Sequence, residues 1–249
     1  MGPSLNYLPA AIKGALRLVY PPQCLSCSVG VDQDGALCPE CWRDCEFITG
    51  CACHICGVPL PGEDEGEADL RCDDCLSAAR PWEQGRAAIT YRGVGRSLVL
   101  ALKHGDRPDL AAPLGQWLAR VVTPLIRPGL IVAPVPLHPR RLLLRKYNQA
   151  GLLSAQLARR HSVQNCPGLL VRSRPTVAQD HRTAEERFEN LRGALAVSAR
   201  YRDQIAGRPI LVVDDVMASG ATMSAAAEAL RDAASGPVLA AVLARAVKE

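Results

Sequence analysis

Two constellations in this chain carry the residue types for chemistry. The first spans residues 210–222, Ile-Leu-Val-Val-Asp-Asp-Val-Met-Ala-Ser-Gly-Ala-Thr. Four apolar, mostly branched residues read as a buried strand, and the adjacent carboxylates Asp214 and Asp215 fall where that strand is expected to end. The small residues Ala218, Ser219, Gly220, Ala221 and Thr222 follow, and residues 223–234 read as an Ala-rich helix. Small side chains let the backbone approach an anion, and the first N–H groups of a helix lack partners of their own. Two carboxylates beside such a loop would repel a phosphate, unless they serve hydroxyls or a divalent cation on the same ligand. A sugar phosphate meets both demands. The plainer alternative is an ordinary strand-to-helix turn capped by Ser or Thr.

The second constellation is a run of cysteines. The chain has 11, and ten of them lie between Cys24 and Cys75. They form four Cys-x-x-Cys knuckles: Cys24/Cys27, Cys38/Cys41, Cys53/Cys56 and Cys72/Cys75. A two-residue gap lets both thiolates of one tight turn grip the same ion, and two such turns make the tetrahedral sulfur cage that suits zinc. Consecutive pairing gives two structural zinc sites, Cys24-Cys27-Cys38-Cys41 and Cys53-Cys56-Cys72-Cys75; interleaved pairing stays open at this level. Cys45 and Cys51 are spare. Disulfides would need an oxidising compartment, which nothing here indicates. With four protein ligands each, neither site keeps an open position for catalysis, and metal binding has to supply folding energy to a segment poor in apolar residues.

The remaining elements must position these groups. Residues 1–20 read as a short amphipathic helix rather than a signal peptide, because Lys13 and Arg17 interrupt the apolar residues and no cleavage site follows. Residues 21–77 form the Cys-rich module. Residues 78–128 read as a connecting strand and helices packed on the core, and residues 129–249 as an α/β domain. In the connection a strand is expected near residues 86–91, a helix from Gly93 through Lys103, and another over residues 110–126. The Gly93-Val94-Gly95 turn lacks the third glycine and the later acid of a dinucleotide fingerprint. Lys103 reads either as a solvated helix-end cation or as a phosphate contact, and position alone favours the first. Strands are expected at residues 130–136, 169–171, 191–197, 210–213 and 238–243, with a helix over residues 147–160; their alternation with helices argues a mostly parallel sheet flanked by helices. The basic loop at residues 137–141 follows the first of these strands, where an α/β sheet places anion sites. Net charge is +4, too small to argue for nucleic-acid binding alone. No apolar run is long enough to span a membrane, and a cytoplasmic location is expected.

The stretch from Asp214 through Thr222 resembles the phosphoribosyl pyrophosphate (PRPP) signature of type I phosphoribosyltransferases. That resemblance implies that Asp214 and Asp215 hold the ribose hydroxyls and that Ala218, Ser219, Gly220, Ala221 and Thr222 cradle the 5′-phosphate. Many members carry Thr where this chain has Ala218. The order of landmarks is more specific than any one of them: Cys knuckles, Leu102-Lys103, Val135-Pro136-Leu137, Arg140 to Asn148-Gln149-Ala150, Gln179 with Arg187 and Asn190, then the PRPP signature. In this order the chain resembles the ComF family, from about residue 21 to residue 246.

Membership would imply a type I phosphoribosyltransferase-like fold behind a double zinc ribbon, and a link to natural competence and DNA uptake. It raises Lys103, Arg140, Gln179 and Arg187, with the acid pair, to candidate catalytic residues, and Arg145 and Asn148 to PRPP contacts. The implied cofactor is Mg²⁺ with PRPP. The implied chemistry is displacement at ribose C1, with basic loops neutralising the departing pyrophosphate and a mobile loop over residues 174–190 closing on it. The acceptor is not legible. An enzyme with an unknown acceptor stands beside a non-catalytic PRPP- or nucleotide-binding accessory protein, with single-stranded DNA or a DNA-uptake protein as possible partners.

Overall fold

Strands whose residues are apolar without alternation need cover on both faces, and that is how this sheet is built. In the computed structural model, which describes residues 20–62, 69–173 and 184–247, five parallel strands form the central sheet in the order β1-β7-β6-β2-β3. They are β1 (Gln84–Thr90), β2 (Ile131–Pro134), the two-residue β3 (Gln164–Asn165), β6 (Ile210–Met217) and β7 (Val238–Arg245). Between β3 and β6, β4 (Leu170–Arg172) and β5 (Leu195–Val197) pair with each other in antiparallel register. The strand expected at residues 169–171 is therefore not part of the parallel sheet, and residues 191–197 divide into a helix end at Leu191 and the short β5.

Helices α1 (Pro39–Arg43) and α2 (Asp73–Ser77) belong to the Cys-rich module; α3 (Gly93–His104), α4 (Ala111–Val121), α5 (Pro139–Arg145), α6 (Gln149–His161), α7 (Ala184–Leu191), α8 (Arg202–Ile205) and α9 (Ala221–Asp232) follow. Successive strand residues point to opposite faces, so Ile210 and Val212 enter one apolar layer with Ala226 and Leu230 of α9. Leu211 and Val213 enter the other, with Leu102 of α3, Leu114 of α4 and Leu153 of α6. The Cys-rich module is divided between the two layers: Cys53, Cys56 and Cys75 join the first, and Cys24, Cys38 and Cys41 join the second.

The chain leaves β2 through α6 toward β3, and leaves β6 through α9 toward β7 on the other side. The direction of winding therefore reverses between β2 and β6, and the crevice beyond their C-terminal ends is where such sheets bind ligands. Two local expectations shift there. The acid pair lies inside β6 rather than after it, because the parallel ladder with β7 continues from Asp214↔Val242 to Met217↔Arg245; ladder bonds use the backbone and tolerate a carboxylate. The basic segment at residues 137–141 is only partly loop, since α5 starts at Pro139, an imino acid suited to a first helical turn.

Candidate functional site

The Cys-rich module repeats one design twice. Cys24 N–H donates to Val29 O and Ser28 N–H to Cys24 O; Cys53 N–H donates to Val58 O and Gly57 N–H to Cys53 O. Ser28 and Gly57, at φ 62° and 69°, both turn through the left-handed region. The later knuckle of each set sits at a helix start, with Cys38 before α1 and Cys72 before α2. The sulfurs of Cys24, Cys27, Cys38 and Cys41 lie within 4.8 Å of one another, as do those of Cys53, Cys56, Cys72 and Cys75, so the knuckles pair consecutively. The Cys27–Cys38 and Cys56–Cys72 sulfurs are 3.6 Å apart. A tetrahedron with Zn–S of ~2.3 Å has edges of ~3.8 Å, so both cages fit zinc. Their thiols resist shared ionisation without a cation. A hydrogen bond from Cys56 takes Cys53 down to about 4, while Cys56 itself is raised by that same bond. Burial pushes Cys41 up to about 12. Cys45 and Cys51 are buried and join neither cage.

At the C-terminal end of β6 the pleat separates the acid pair. Asp214 lines a cavity of about 80 Å³ with residues 216–223, the loop and the first turn of α9. Asp215 is 9% exposed, and its Oδ1 lies 3.1 Å from Lys103 Nζ at the end of α3. Burial and the neighbouring Asp215 carboxylate push Asp214 up to about 7, against the pull of Lys103 and Arg172. Its Oδ1 accepts from Asp215 N–H at 2.8 Å.

The loop is shorter than its five small residues imply, because Ala221 and Thr222 already belong to α9. Gly220 precedes the helix at φ 83°, a conformation a side chain would strain. No side chain caps from Gly220; Ser219 Oγ accepts only a long 3.4 Å bond from Ala221 N–H. The carbonyls of Met217, Ala218 and Ser219 accept from arginines instead, the first two from Arg245 and the third from Arg80.

A larger cavity of about 560 Å³ opens on the Lys103 side, lined by Lys103, His104, Asp106, Leu144, Arg145, Lys146 and Tyr147. Of its lining residues, Tyr147 O–H donates to Leu102 O at 2.8 Å; next in the chain, Asn148 Nδ2 donates to Val135 O at 3.0 Å. Gln149, 1% exposed, donates to Lys103 O at 3.4 Å. Lys103, Asp214, Asp215 and the loop thus meet around β6, and Arg145 shares the wider cavity with Lys103. Asn148 serves the backbone of the segment after β2. Arg140 lies in α5 and Arg187 in α7, while Gln179 lies outside the described residues, as do residues 1–19.

Sequence reasoning missed four residues. Arg172 donates to Pro136 O at 3.0 Å and acts on Asp214. Arg80, Trp82 and Arg245 hold the loop. Arg245 carried a readable signal, a lone cation closing a run of seven apolar residues, Val238 to Ala244.

A parallel sheet with an acid-and-loop site at its winding reversal, preceded by two four-cysteine cages, defines an α/β protein with a double zinc ribbon. A family model described as the double zinc ribbon domain matches residues 15–76. DNA utilization protein YhgH of Escherichia coli K12 is 30% identical over 213 residues, 83% of this chain and 83% of that one. Competence protein F of Haemophilus influenzae is 33% identical over 193 residues, 74% of this chain and 84% of that one. The chain belongs to the ComF family, with these two relatives. Among solved structures, glutamine PRPP amidotransferase from B. subtilis, complexed with ADP and GMP, overlays with TM-score 0.37 at 17% identity, over 57% of this chain and 30% of that one. A hypoxanthine phosphoribosyltransferase from Staphylococcus aureus overlays with TM-score 0.32 at 14% identity, over 57% and 64%. No helix among the described residues is long and apolar enough to cross a membrane.

Proposed function

We propose that the chain binds PRPP, or a closely related ribose phosphate, with Mg²⁺ at the end of β6, and transfers the phosphoribosyl group to an acceptor. The observation that carries this reading is the convergence on one strand end. Asp214 faces the cavity under the loop, Asp215 meets Lys103 at 3.1 Å, and the wider cavity with Arg145 adjoins Lys103. The small cavity suits a phosphate group held by N–H groups of the loop and first turn of α9. Asp214 takes ribose hydroxyls. Asp215 and Asp214 supply hard oxygen ligands of the kind a Mg²⁺ ion takes together with substrate oxygens. When bound, that ion offsets charge on the leaving pyrophosphate.

In the reaction, the acceptor's lone pair forms the new bond at ribose C1 as the C1–O bond to pyrophosphate breaks, and the acceptor's proton leaves to solvent. Lys103 and Arg145 face the side on which pyrophosphate departs; Arg140, Gln179 and Arg187 are assigned to the same task. No protein nucleophile is needed. The roles of Asn148 and Gln149 are to hold the segment after β2 and the end of α3.

A second reading, a PRPP- or nucleotide-binding accessory protein in DNA use, is favoured by the relatives' names, which speak of DNA utilization and competence and of no transfer. Both readings rest on one binding measurement. Calorimetric titration of the zinc-loaded chain should show Mg²⁺-dependent PRPP binding that the Asp214→Asn/Asp215→Asn double variant loses. Unchanged binding in that variant removes the site assignment. Pyrophosphate release across nucleobases, amines and single-stranded DNA then separates the readings, since binding without turnover selects the accessory role.

A further inference from the structure

Three side chains run between the second four-cysteine cage and the loop after β6. Arg245, the last residue of β7, is 5% exposed. Its Nη1 donates to Met217 O at 3.1 Å and Ala218 O at 2.7 Å, while its Nη2 reaches Cys56 Sγ at 3.7 Å. Arg80 Nη1 donates to Ser219 O at 3.3 Å, and its cation draws the Cys75 thiol down against the larger upward push of burial. Trp82, 4% exposed, donates to Ile55 O, between Cys53 and Cys56, at 2.6 Å. Its ring lies where a Cβ on Gly220 would meet it at 3.2 Å. The carbonyls of Met217 and Ala218 are thus tied to a group that also touches the second cage.

These ties are not cheap packing. Among the described residues, Nε of both Arg80 and Arg245 is buried without a hydrogen-bond partner, which costs stability that an apolar residue would not. What a guanidinium adds is a rigid planar fork that bonds two groups at once. A Zn²⁺ ion held by four thiolates leaves a net negative cage, and a cation on its sulfur is a natural outer partner. Without the metal the four sulfurs are no longer held to one point, so the anchor that Cys56 offers Arg245 loosens. The first cage packs on the opposite face of the sheet, against the layer containing Leu98 and Leu102.

We infer that Arg245, with Arg80 beside it, is a positioning residue that links the second four-cysteine cage to the loop, so that metal in this cage and ligand on the loop stabilise each other. The metal-to-loop half stands on the contacts alone; the ligand half rests on the proposed ribose phosphate site. Such linkage is reciprocal in free energy.

Amide hydrogen exchange of the full, zinc-loaded chain tests the first half without any ligand. Arg245→Lys can hold one partner but not span carbonyl and sulfur. It should retain both zinc ions and exchange about fivefold faster over residues 217–222, with α6 unchanged. Wild-type protein stripped of zinc by chelator should show the same rise over residues 217–222, beside the unfolding of the Cys-rich segment. Unchanged loop exchange in either sample overturns the linkage, so a variant that fails to fold leaves the stripped wild type to decide.

The second half uses PRPP with Mg²⁺ as probe and zinc loss to a coloured chelator as readout. Saturating PRPP should slow loss of one ion about fivefold, and cysteine alkylation should place the protection at Cys53, Cys56, Cys72 and Cys75. Arg245→Lys should abolish that protection. Equal rates despite calorimetrically measured binding overturn the reciprocal linkage. Absence of any binding removes the ribose phosphate reading instead, and hydrogen exchange then decides the linkage by itself.

Discussion

Replacing Asp214 with Asn isolates one charge, because the Asn oxygen can still accept from Asp215 N–H at the 2.8 Å position of Oδ1. Burial and the Asp215 carboxylate move Asp214 from 3.8 to about 7 in the folded chain. The folded value lies above the unfolded one, so between them the native state keeps a proton that the unfolded chain has released. Stability from this group is complete below about pH 4 and is lost as pH rises through about 7. The full rise corresponds to ~4 kcal/mol at pH 8.5, of which ~2 kcal/mol is already lost at pH 5.5. Halving the change between these pH values, because the carboxylate opens to the cavity, leaves ~1 kcal/mol. Urea unfolding of both proteins, zinc-loaded, at pH 5.5, 7 and 8.5 reads this out; the difference between them cancels titration of the metal ligands. Asp214→Asn should be the more stable protein, by a margin that grows about 1 kcal/mol across the range. A margin that does not change with pH would refute the electrostatic account of this site, and so would a variant less stable than wild type at pH 8.5. The same variant should bind PRPP poorly; that result together with the gain in stability would mark Asp214 as a group held against stability for the sake of a ligand.

Gly220→Ala puts a Cβ at φ 83° and 3.2 Å from the Trp82 ring, so it should cost ~1–3 kcal/mol in denaturant unfolding and weaken PRPP binding. Lys103→Met leaves the 9%-exposed Asp215 without its ion pair; a loss of ~1–3 kcal/mol is expected by urea unfolding, together with weaker pyrophosphate-dependent binding of PRPP over ribose 5-phosphate. Elemental analysis should find two zinc ions per chain, and chelation should unfold the segment from Cys24 to Cys75 by far-ultraviolet dichroism and proteolysis. Finding no zinc in intact, folded protein would contradict the cage assignment.

Local chemistry was legible wherever function depends on adjacent residues. Four Cys-x-x-Cys spacings determined tight metal-gripping turns, since a two-residue gap leaves the thiolates little other geometry. The run from Ile210 to Thr222 determined a buried strand, an acid pair and a small-residue helix start, because apolar runs and small residues act through the nearest few bonds. The order of landmarks along the chain was enough to indicate the family. Tertiary structure alone decided which knuckles share a cage, since consecutive and interleaved pairings have equal spacing and only folding brings the sulfurs together. It extended β6 through Asp215 to Met217, because β7 offers ladder partners that no periodicity reveals. It sent Asp214 to the loop cavity and Asp215 to Lys103, more than 100 positions away, through the alternation of the pleat. It also placed Arg245 between a metal cage and the loop: nothing in the sequence near Arg245 mentions Cys56, and only the parallel pairing of β6 with β7 carries that buried charge to both.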